Sequence, residues 1–318
     1  MIVKIFGYID MNFQQLRYVR ETVRQGLNLT AAAEALHTSQ PGVSRQIRDL
    51  EEELGVQIFV RFGKRITALT EPGRAVVSVI DRLLVEAENL KSTATEFADQ
   101  KSGSLTIATT HTQARYSLPK AVGEFKRKYP KVRLTILQGS PPQIAEMVTD
   151  GQADIAIATE TIDHHPDLVA LSCFHWHHVV VVPPKHPLLN LEKLTLKALA
   201  DFPIITYDSA FTGRSSINQA FAAKGLTPDI ILSAIDSDVI KTYVELGLGV
   251  GILAGIAFDE HRDRHLRGID AGHLFAEKTT HLAIREGAYL RGFVYDFIHL
   301  FAPALDREHV DAALKRSE

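Results

Sequence analysis

Between Phe13 and Leu54 the apolar residues recur at helical spacing in three blocks, and the breaks between blocks leave room only for tight turns. Phe13, Leu16, Val19 and Val23 mark a first helix closed at Gly26. Thr30 has the side chain of an N-cap ahead of AAAEAL, a run of strong helix formers that predicts a short second helix ending near His37. Ser39 and Pro41 open the third, because serine accepts a hydrogen bond from a free first-turn amide and proline loses nothing there. Val43, Ile47, Leu50 and Leu54 define its buried face, while Gln40, Ser44, Arg45 and Arg48 fall on the other. Gln, Ser and Arg are side chains that bond base edges and phosphates. A plain helical hairpin with a solvated polar face has the same spacing, so the helices alone leave DNA binding open.

The following stretch, IFVRFGKRITALT from Ile58 to Thr70, reads as two short strands around Gly63 and Lys64, a hairpin with cations at its tip. Such a basic wing beside a helix can reach phosphate or the minor groove. A formal net charge of −3 excludes a chain that coats nucleic acid by bulk electrostatics. Binding must come from a local patch, here Arg45, Arg48, Arg61, Lys64 and Arg65, interrupted by the acidic run Asp49 to Glu53. The whole stretch LTAAAEALHTSQPGVSRQIRDLEEELGVQIFVRFGKRITALTEPG resembles the winged helix-turn-helix of LysR-type regulators, including SQPGVSRQI opening the third helix and a wing ending in T-x-x-G. The resemblance implies a DNA-binding domain over residues 11–70, after an extension over 1–10, with Thr38, Ser39, Gln40, Pro41, Ser44, Arg45, Arg48, Lys64 and Arg65 facing double-stranded DNA.

After Thr70 and Pro72, the residues Val76, Ile80, Leu83, Ala87, Leu90, Ala94 and Phe97 alternate spacings of 4 and 3 for three heptads. So narrow a seam predicts a partner helix, since a helix resting on its own domain shows a broader stripe. This makes residues 71–102 a coiled-coil linker helix. From Leu105 the pattern changes to strands alternating with helices: LTIATT, Ala114 to Lys128, VRLTILQG, PPQIAEMVTDGQ and ADIAIAT, then a second set from HVVVVP through VGIL, with a return through TTHLAIRE and a last helix from Leu290 to Leu305. Alternation of this kind predicts parallel sheets with right-handed crossovers. The fold class is therefore α+β overall, a winged helix-turn-helix followed by two α/β lobes. The LysR resemblance implies an effector domain of periplasmic-binding-protein type over residues 103–310, with lobe I about 103–171 and 277–305 and lobe II about 172–276, assembled as a dimer of dimers.

Ligands of open α/β sheets bind beyond the carboxyl ends of strands. TTHTQ, Thr109 to Gln113, sits at such an end and offers hydroxyls and an amide at a helix start. Capping of that helix by Thr112 explains the same residues. Thr159 ends another strand, and Thr212 with Gly213 precedes a helix of the second lobe, so three hydroxyl clusters can converge on one cleft. IATTHTQARYSLP, QGSPPQIAE, ADIAIATE, FTGRS, SDVIKTYVELGLGVG and YDFIHLFAP resemble the CysB subgroup of the LysR family. That resemblance implies effector binding by Thr110, Thr112, Gln113, Thr159 and Thr212, control of sulfur-assimilation genes, and RNA polymerase as a further partner. The effector it implies is sulfate, thiosulfate, acetylserine, adenylyl sulfate or a sulfonate-related compound.

His175, His177 and His178 invite a metal reading, with His175 and His177 on one strand face, but no carboxylate or cysteine completes a recognised spacing. GLGVGI, from Gly247, follows a helix and precedes a strand, the reverse of a dinucleotide loop. No G-x-S-x-G, P-loop or H-E-x-x-H is present, so neither enzyme, metal nor cofactor is expected. The lone Cys173 cannot form an internal disulfide, the first ten residues are too short an apolar run for a signal peptide, and charges interrupt every hydrophobic run. A cytoplasmic protein with no membrane partner is expected, with Met11 as a possible start.

Overall fold

The computed structural model describes residues 10–315 except 64, 99, 100, 160, 161, 163, 164, 210 and 211, and the side chains of 95–98, 212 and 213 also lie outside that description. Residues 1–9 of the extension over 1–10 and the wing residue Lys64 therefore fall outside the described residues. The chain divides into two compact units, Met1–Ala94 with Gly287–Tyr289, and Thr95–Glu286 with Leu290–Glu318.

In the first unit α1 spans Phe13–Arg24, α2 Leu29–Ala35 and α3 Gln40–Leu54, followed by β1 Phe59–Phe62, β2 Arg65–Leu69 and α4 Glu71–Ala98, whose residues from Thr95 onward count with the second unit. Leu16, Val19, Leu29, Val43, Ile47, Leu50, Ile58 and Phe59 close one core. The cap of α2 is Asn28 and not Thr30. Positive φ at Gly26 and Leu27 swings Asn28 into place, and its Oδ1 accepts the amides of Thr30 and Ala31 at 3.0 and 3.2 Å. Ser39 caps α3 through the Gly42 amide at 3.3 Å.

The acidic run behind α3 is partly internal. Glu51 is 1% exposed, and its carboxylate accepts the Ile58 and Phe59 amides at 2.8 and 3.0 Å and pairs with Arg61 at 3.1 Å. One carboxylate thus ties α3 to the antiparallel β1–β2 hairpin. The T-x-x-G that ends the wing has an equally local cause. Thr70 Oγ1 accepts the Gly73 amide at 2.8 Å, and a Cβ on Gly73 would lie 2.0 Å from the Ile58 carbonyl oxygen.

The seam expected along α4 is only partly free. Val76 and Ile80 pack into the unit's own core, and Leu84, outside the heptad positions, is buried with them. The first turns of α4 lie against the three-helix core, which takes the face that the sequence assigned to a partner. Farther along, Val79, Leu83 and Leu90 are exposed, Leu90 by 73%. Phe97, the last residue of the seam, has its side chain outside the described residues.

The second unit continues with β3 Gly103–Thr109, α5 Leu118–Lys128, β4 Val132–Gln138, α6 Pro141–Thr149, β5 Ile155–Thr159, β6 Leu168–Trp176, β7 His178–Val182, α7 Leu196–Ala200, β8 Ile204–Tyr207, α8 Thr212–Ala222, β9 Ile230–Ala234, α9 Ser237–Glu245, β10 Val250–Ala254, β11 Arg267–Asp270, β12 Lys278–Arg285, α10 Gly292–Phe301 and α11 Arg307–Lys315. Two five-stranded sheets result, in the orders β4-β3-β5-β12-β6 and β11-β7-β10-β8-β9. Each sheet is mixed and not parallel throughout. β3 pairs in parallel with β4 and β5, and β8 with β9 and β10, but β12 runs antiparallel to β5 and β6, and β7 to β10 and β11. The chain passes from one lobe to the other between β6 and β7 and returns between β11 and β12, which is what reverses those strands. Strands β6 and β11 and helix α11 are not among the expected elements, although Val310, Ala313 and Leu314 fall at helical spacing behind Asp306. In GLGVGI, Gly249 seats against Pro203, whose carbonyl oxygen would be 2.5 Å from a Cβ there.

Replacing Glu51 by alanine strands two buried amides without acceptors, which costs about 3 kcal/mol. Urea unfolding of the full-length Glu51→Ala protein is expected to show that loss in the transition of the first unit, with the second unit's transition unmoved.

Candidate nucleic-acid interface and effector junction

The outward side of the first unit is built by α3 and the hairpin. Thr38, Ser39, Pro41, Arg45, Arg48 and Arg65 are exposed and Gln40 is half-buried. The Arg45 side chain is 81% exposed, and its nearest charge is Asp49 at 3.9 Å. Ser44 departs from the expected polar face. It is 7% exposed, with Arg48 donating to its hydroxyl and to its carbonyl at 3.2 and 3.3 Å. The α3 register turns Ser44 toward the core beside Val43, where its hydroxyl and carbonyl hold the Arg48 side chain.

In the second unit, the end of β3 leads straight into helical backbone at His111 and Thr112, then into a π turn over Gln113–Ser117 that precedes α5. Thr110 is half-buried, and its carbonyl accepts the Ala114 amide at 3.0 Å. Thr112 makes no side-chain cap, so helix capping does not explain it. Its hydroxyl lies instead 3.4 Å from the Ser237 hydroxyl on the other lobe. Gln113 is 2% exposed, and its Nε2 donates to Thr280 Oγ1 at 2.9 Å while Oε1 is buried without a hydrogen-bond partner. Because the Thr280 hydroxyl can also donate, the amide can turn over and present its nitrogen instead. Thr159, at the end of β5, is the register partner of Thr280. Thr212 begins α8, with its side chain outside the described residues.

Opposite these residues the second lobe presents groups that the sequence reasoning passed over. Ser237 opens α9 behind the N-cap Asp236, which accepts the Val239 amide at 2.9 Å. The Tyr207 hydroxyl lies 2.7 Å from Ser237 Oγ and accepts the Ala254 amide at 2.9 Å. The signal was present in AIDSDVIK, where Asp236 has the side chain of an N-cap ahead of SDVIK.

The lobes are locked together beside this hydroxyl cluster. Tyr116, on the π turn, packs against the core of the second lobe. It donates to Asp238 Oδ1 at 2.5 Å and accepts from the Lys241 ammonium at 2.8 Å. Arg115 pairs with Asp238 at 2.6 Å, and Lys241 with Asp263 at 3.0 Å. Partial burial works against the Asp238 carboxylate, yet the Tyr116 hydrogen bond and the Lys241 and Arg115 charges hold it below its ordinary range.

His111, Asp236 and Asp238 lie within 4.8 Å of one another at ligand-atom level, but Asp238 is already committed to two cations and a phenol. The histidine run is dispersed. His175 stays on β6, 2.9 Å from the Thr279 hydroxyl, His177 lies in the passage between lobes, 3.4 Å from Asp270, and His178 is buried on β7. The strand ends at Trp176, so His175 and His177 do not share one strand face. Burial pushes the Cys173 thiol up to about 12, which keeps it protonated and unreactive at neutral pH.

A carboxylate held below its ordinary pKa stabilises the fold above the unfolded value, about 3.9, and loses that contribution as pH falls through the folded value. Asp238→Asn is therefore expected to be less stable than the parent near neutral pH in urea unfolding, with the gap closing in acid; a gap independent of pH contradicts the ion network.

Residues 13–74 match the family described as bacterial regulatory helix-turn-helix protein, lysR family, and residues 98–306 match the LysR substrate binding domain. The HTH-type transcriptional regulator CysB of Burkholderia cenocepacia is 59% identical over 96% of this chain and 97% of its own length. SsuR of the same organism is 56% identical over 96% and 100%, and Cbl of Escherichia coli is 49% identical over 96% and 97%. The solved cofactor-binding domain of the Cbl transcriptional regulator superposes with a TM-score of 0.65 at 47% identity, covering 67% of this chain and 93% of that one. Full-length OxyR from Pseudomonas aeruginosa, at 22% identity and a TM-score of 0.59 over 92% and 99% of the two chains, shares the fold alone. The chain belongs to the LysR family of bacterial helix-turn-helix transcriptional regulators, and it is a DNA-binding regulator and not an enzyme.

Proposed function

We propose that this regulator acts in the cytoplasm on genes of sulfur assimilation or sulfonate use, and that its effector is a small oxyanion-bearing sulfur compound or an acetylserine. The effector is held by Thr110, Thr112, Gln113 and Thr159 of one lobe and by the starts of α8 and α9, at Thr212 and Ser237, of the other. The observation that carries this reading is the approach of Thr112 to Ser237 across the lobes, 3.4 Å between hydroxyl oxygens. Hydroxyls and first-turn amides of a helix suit an oxyanion without a fixed cation, because hydrogen bonds to a charged acceptor are stronger than neutral ones. Arg115 and Lys241 offset the Asp238 and Asp263 charges, and Asp236 accepts the Val239 amide as the N-cap of α9. Similarity to CysB, SsuR and Cbl supports the sulfur-linked regulon.

Effector binding at a lobe junction shifts the population toward the closed arrangement, and DNA affinity changes only by the difference in effector affinity between the two arrangements. The exposed Val79, Leu83 and Leu90 of α4 support dimerisation through that helix, with a dimer of dimers completed by the effector domains and RNA polymerase engaged at the promoter.

A thermal-shift screen of sulfate, thiosulfate, O- and N-acetylserine, adenylyl sulfate and sulfonates is expected to give one clear stabiliser. Thr112→Ala then lowers the affinity for that compound roughly ten- to a hundredfold by calorimetry, the worth of one hydrogen bond to a charged partner, about 1.5–3 kcal/mol. Unchanged affinity contradicts the site. Leu90→Asp puts a charge on the exposed stripe of α4 and is expected to shift sedimentation toward smaller species, with an unchanged assembly removing α4 from the interface.

A further inference from the structure

The hairpin of the DNA-binding unit exposes an aromatic side chain that its own fold does not use. In the β1–β2 register Phe62 faces Arg65, Val60 faces Ala68 and Arg61 faces Ile66. Directly opposed residues lie on the same side of a hairpin, so the two sides differ in kind. Arg61 and Ile66 turn inward, where Arg61 meets Glu51 and Ile66 is buried. Val60, Phe62, Arg65 and Ala68 turn outward, with Phe62 83% exposed and Val60 43%. Gly63, at φ +61°, bends the backbone immediately after Phe62 and so leaves the ring at the tip.

We propose that Phe62 is an apolar wedge that enters the minor groove of the operator beside the α3 site, with Arg65 as its electrostatic guide. Three features favour DNA as the occupant of this face. The unit is a DNA-binding module. The apolar face is continuous with the exposed Arg65 and lies on the hairpin that Glu51 ties to the same helix as Arg45 and Arg48. The patch itself is one ring and one isopropyl group on a two-stranded ribbon, too small for a stable protein interface but of the size that partly unstacks one base step. Apolar wedges in the minor groove favour steps that unstack easily, so Phe62 reads deformability and not hydrogen-bond pattern.

A wedge and a phosphate contact differ in their salt dependence, because only the latter releases counterions. The test uses full-length protein and an operator duplex selected by that protein from random-sequence DNA, with 2-aminopurine placed successively through the steps flanking the α3 site. The parent protein is expected to raise 2-aminopurine fluorescence at one step, and Phe62→Ala to abolish that rise and weaken binding by about tenfold or more with an unchanged slope of log affinity against log salt. Phe62→Leu is expected to restore most of the affinity, and Arg65→Ala to flatten the slope. Replacing the responsive step by a stiff A-tract step should weaken the parent more than Phe62→Ala, because a wedge favours a step that unstacks easily. Unchanged affinity in Phe62→Ala, or a loss accompanied by a flatter slope, overturns the wedge. A change in sedimentation of the DNA-free Phe62→Ala protein also overturns it, by making this face a contact between protein chains.

Discussion

The effector domain depends on how the segment from Thr110 to Ser117 is seated between the two lobes. Its backbone leaves β3, turns through helical geometry and then widens into a π turn. In a regular helix, residues three apart lie nearly above one another; the wider turn swings them apart. Gln113 can therefore reach Thr280 in its own lobe while Tyr116 plugs into the core of the other and meets Asp238 and Lys241. A contact at Thr112 sits between these two anchors. Whatever changes the spacing of Thr112 and Ser237 must act on Tyr116 as well, which is a physical route from a small ligand to the angle between lobes.

The DNA-binding unit uses a single buried charge for a comparable purpose. Glu51 is desolvated, and such a group is tolerable only because two amides and a guanidinium satisfy it. Its partners lie on the hairpin, so the orientation of the wing relative to α3 is fixed by hydrogen bonds as well as by packing. Side chains on the outer face can then stay exposed on a rigid frame, as those of Arg45 and Phe62 do.

Much of this was legible in the sequence, and the exceptions have identifiable causes. The three helices, the hairpin and most α/β elements follow from periodicity and turn residues, because each buries a face of its own. The Thr30 and Ser44 assignments missed because a positive φ at Leu27 moved the cap to Asn28, and a helix face has a boundary that spacing alone does not locate. The seam along α4 was read as wholly intermolecular, although Val76 and Ile80 serve the local core; nothing in a heptad distinguishes the two uses. On the effector side, one wall of the junction, Thr110 to Gln113, could be read from its place at a strand end. The other wall, Tyr207, Ser237 and Asp238, lies far away in sequence and joins the first only through the crossing of β6, β7, β11 and β12. Contacts of that sort are a property of topology, which alternation of strands and helices leaves undetermined.

The proposed effector oxyanion is shared between Thr112 of one lobe and the start of α9 of the other. Diffraction from crystals of the full-length protein grown with selenate, which resembles sulfate and scatters anomalously, tests it most directly. An anomalous peak is expected within hydrogen-bonding reach of both the Thr112 hydroxyl and the Ser237 hydroxyl or amide. A peak bound elsewhere, with Thr112 and Ser237 still facing each other and no anion between them, would contradict it.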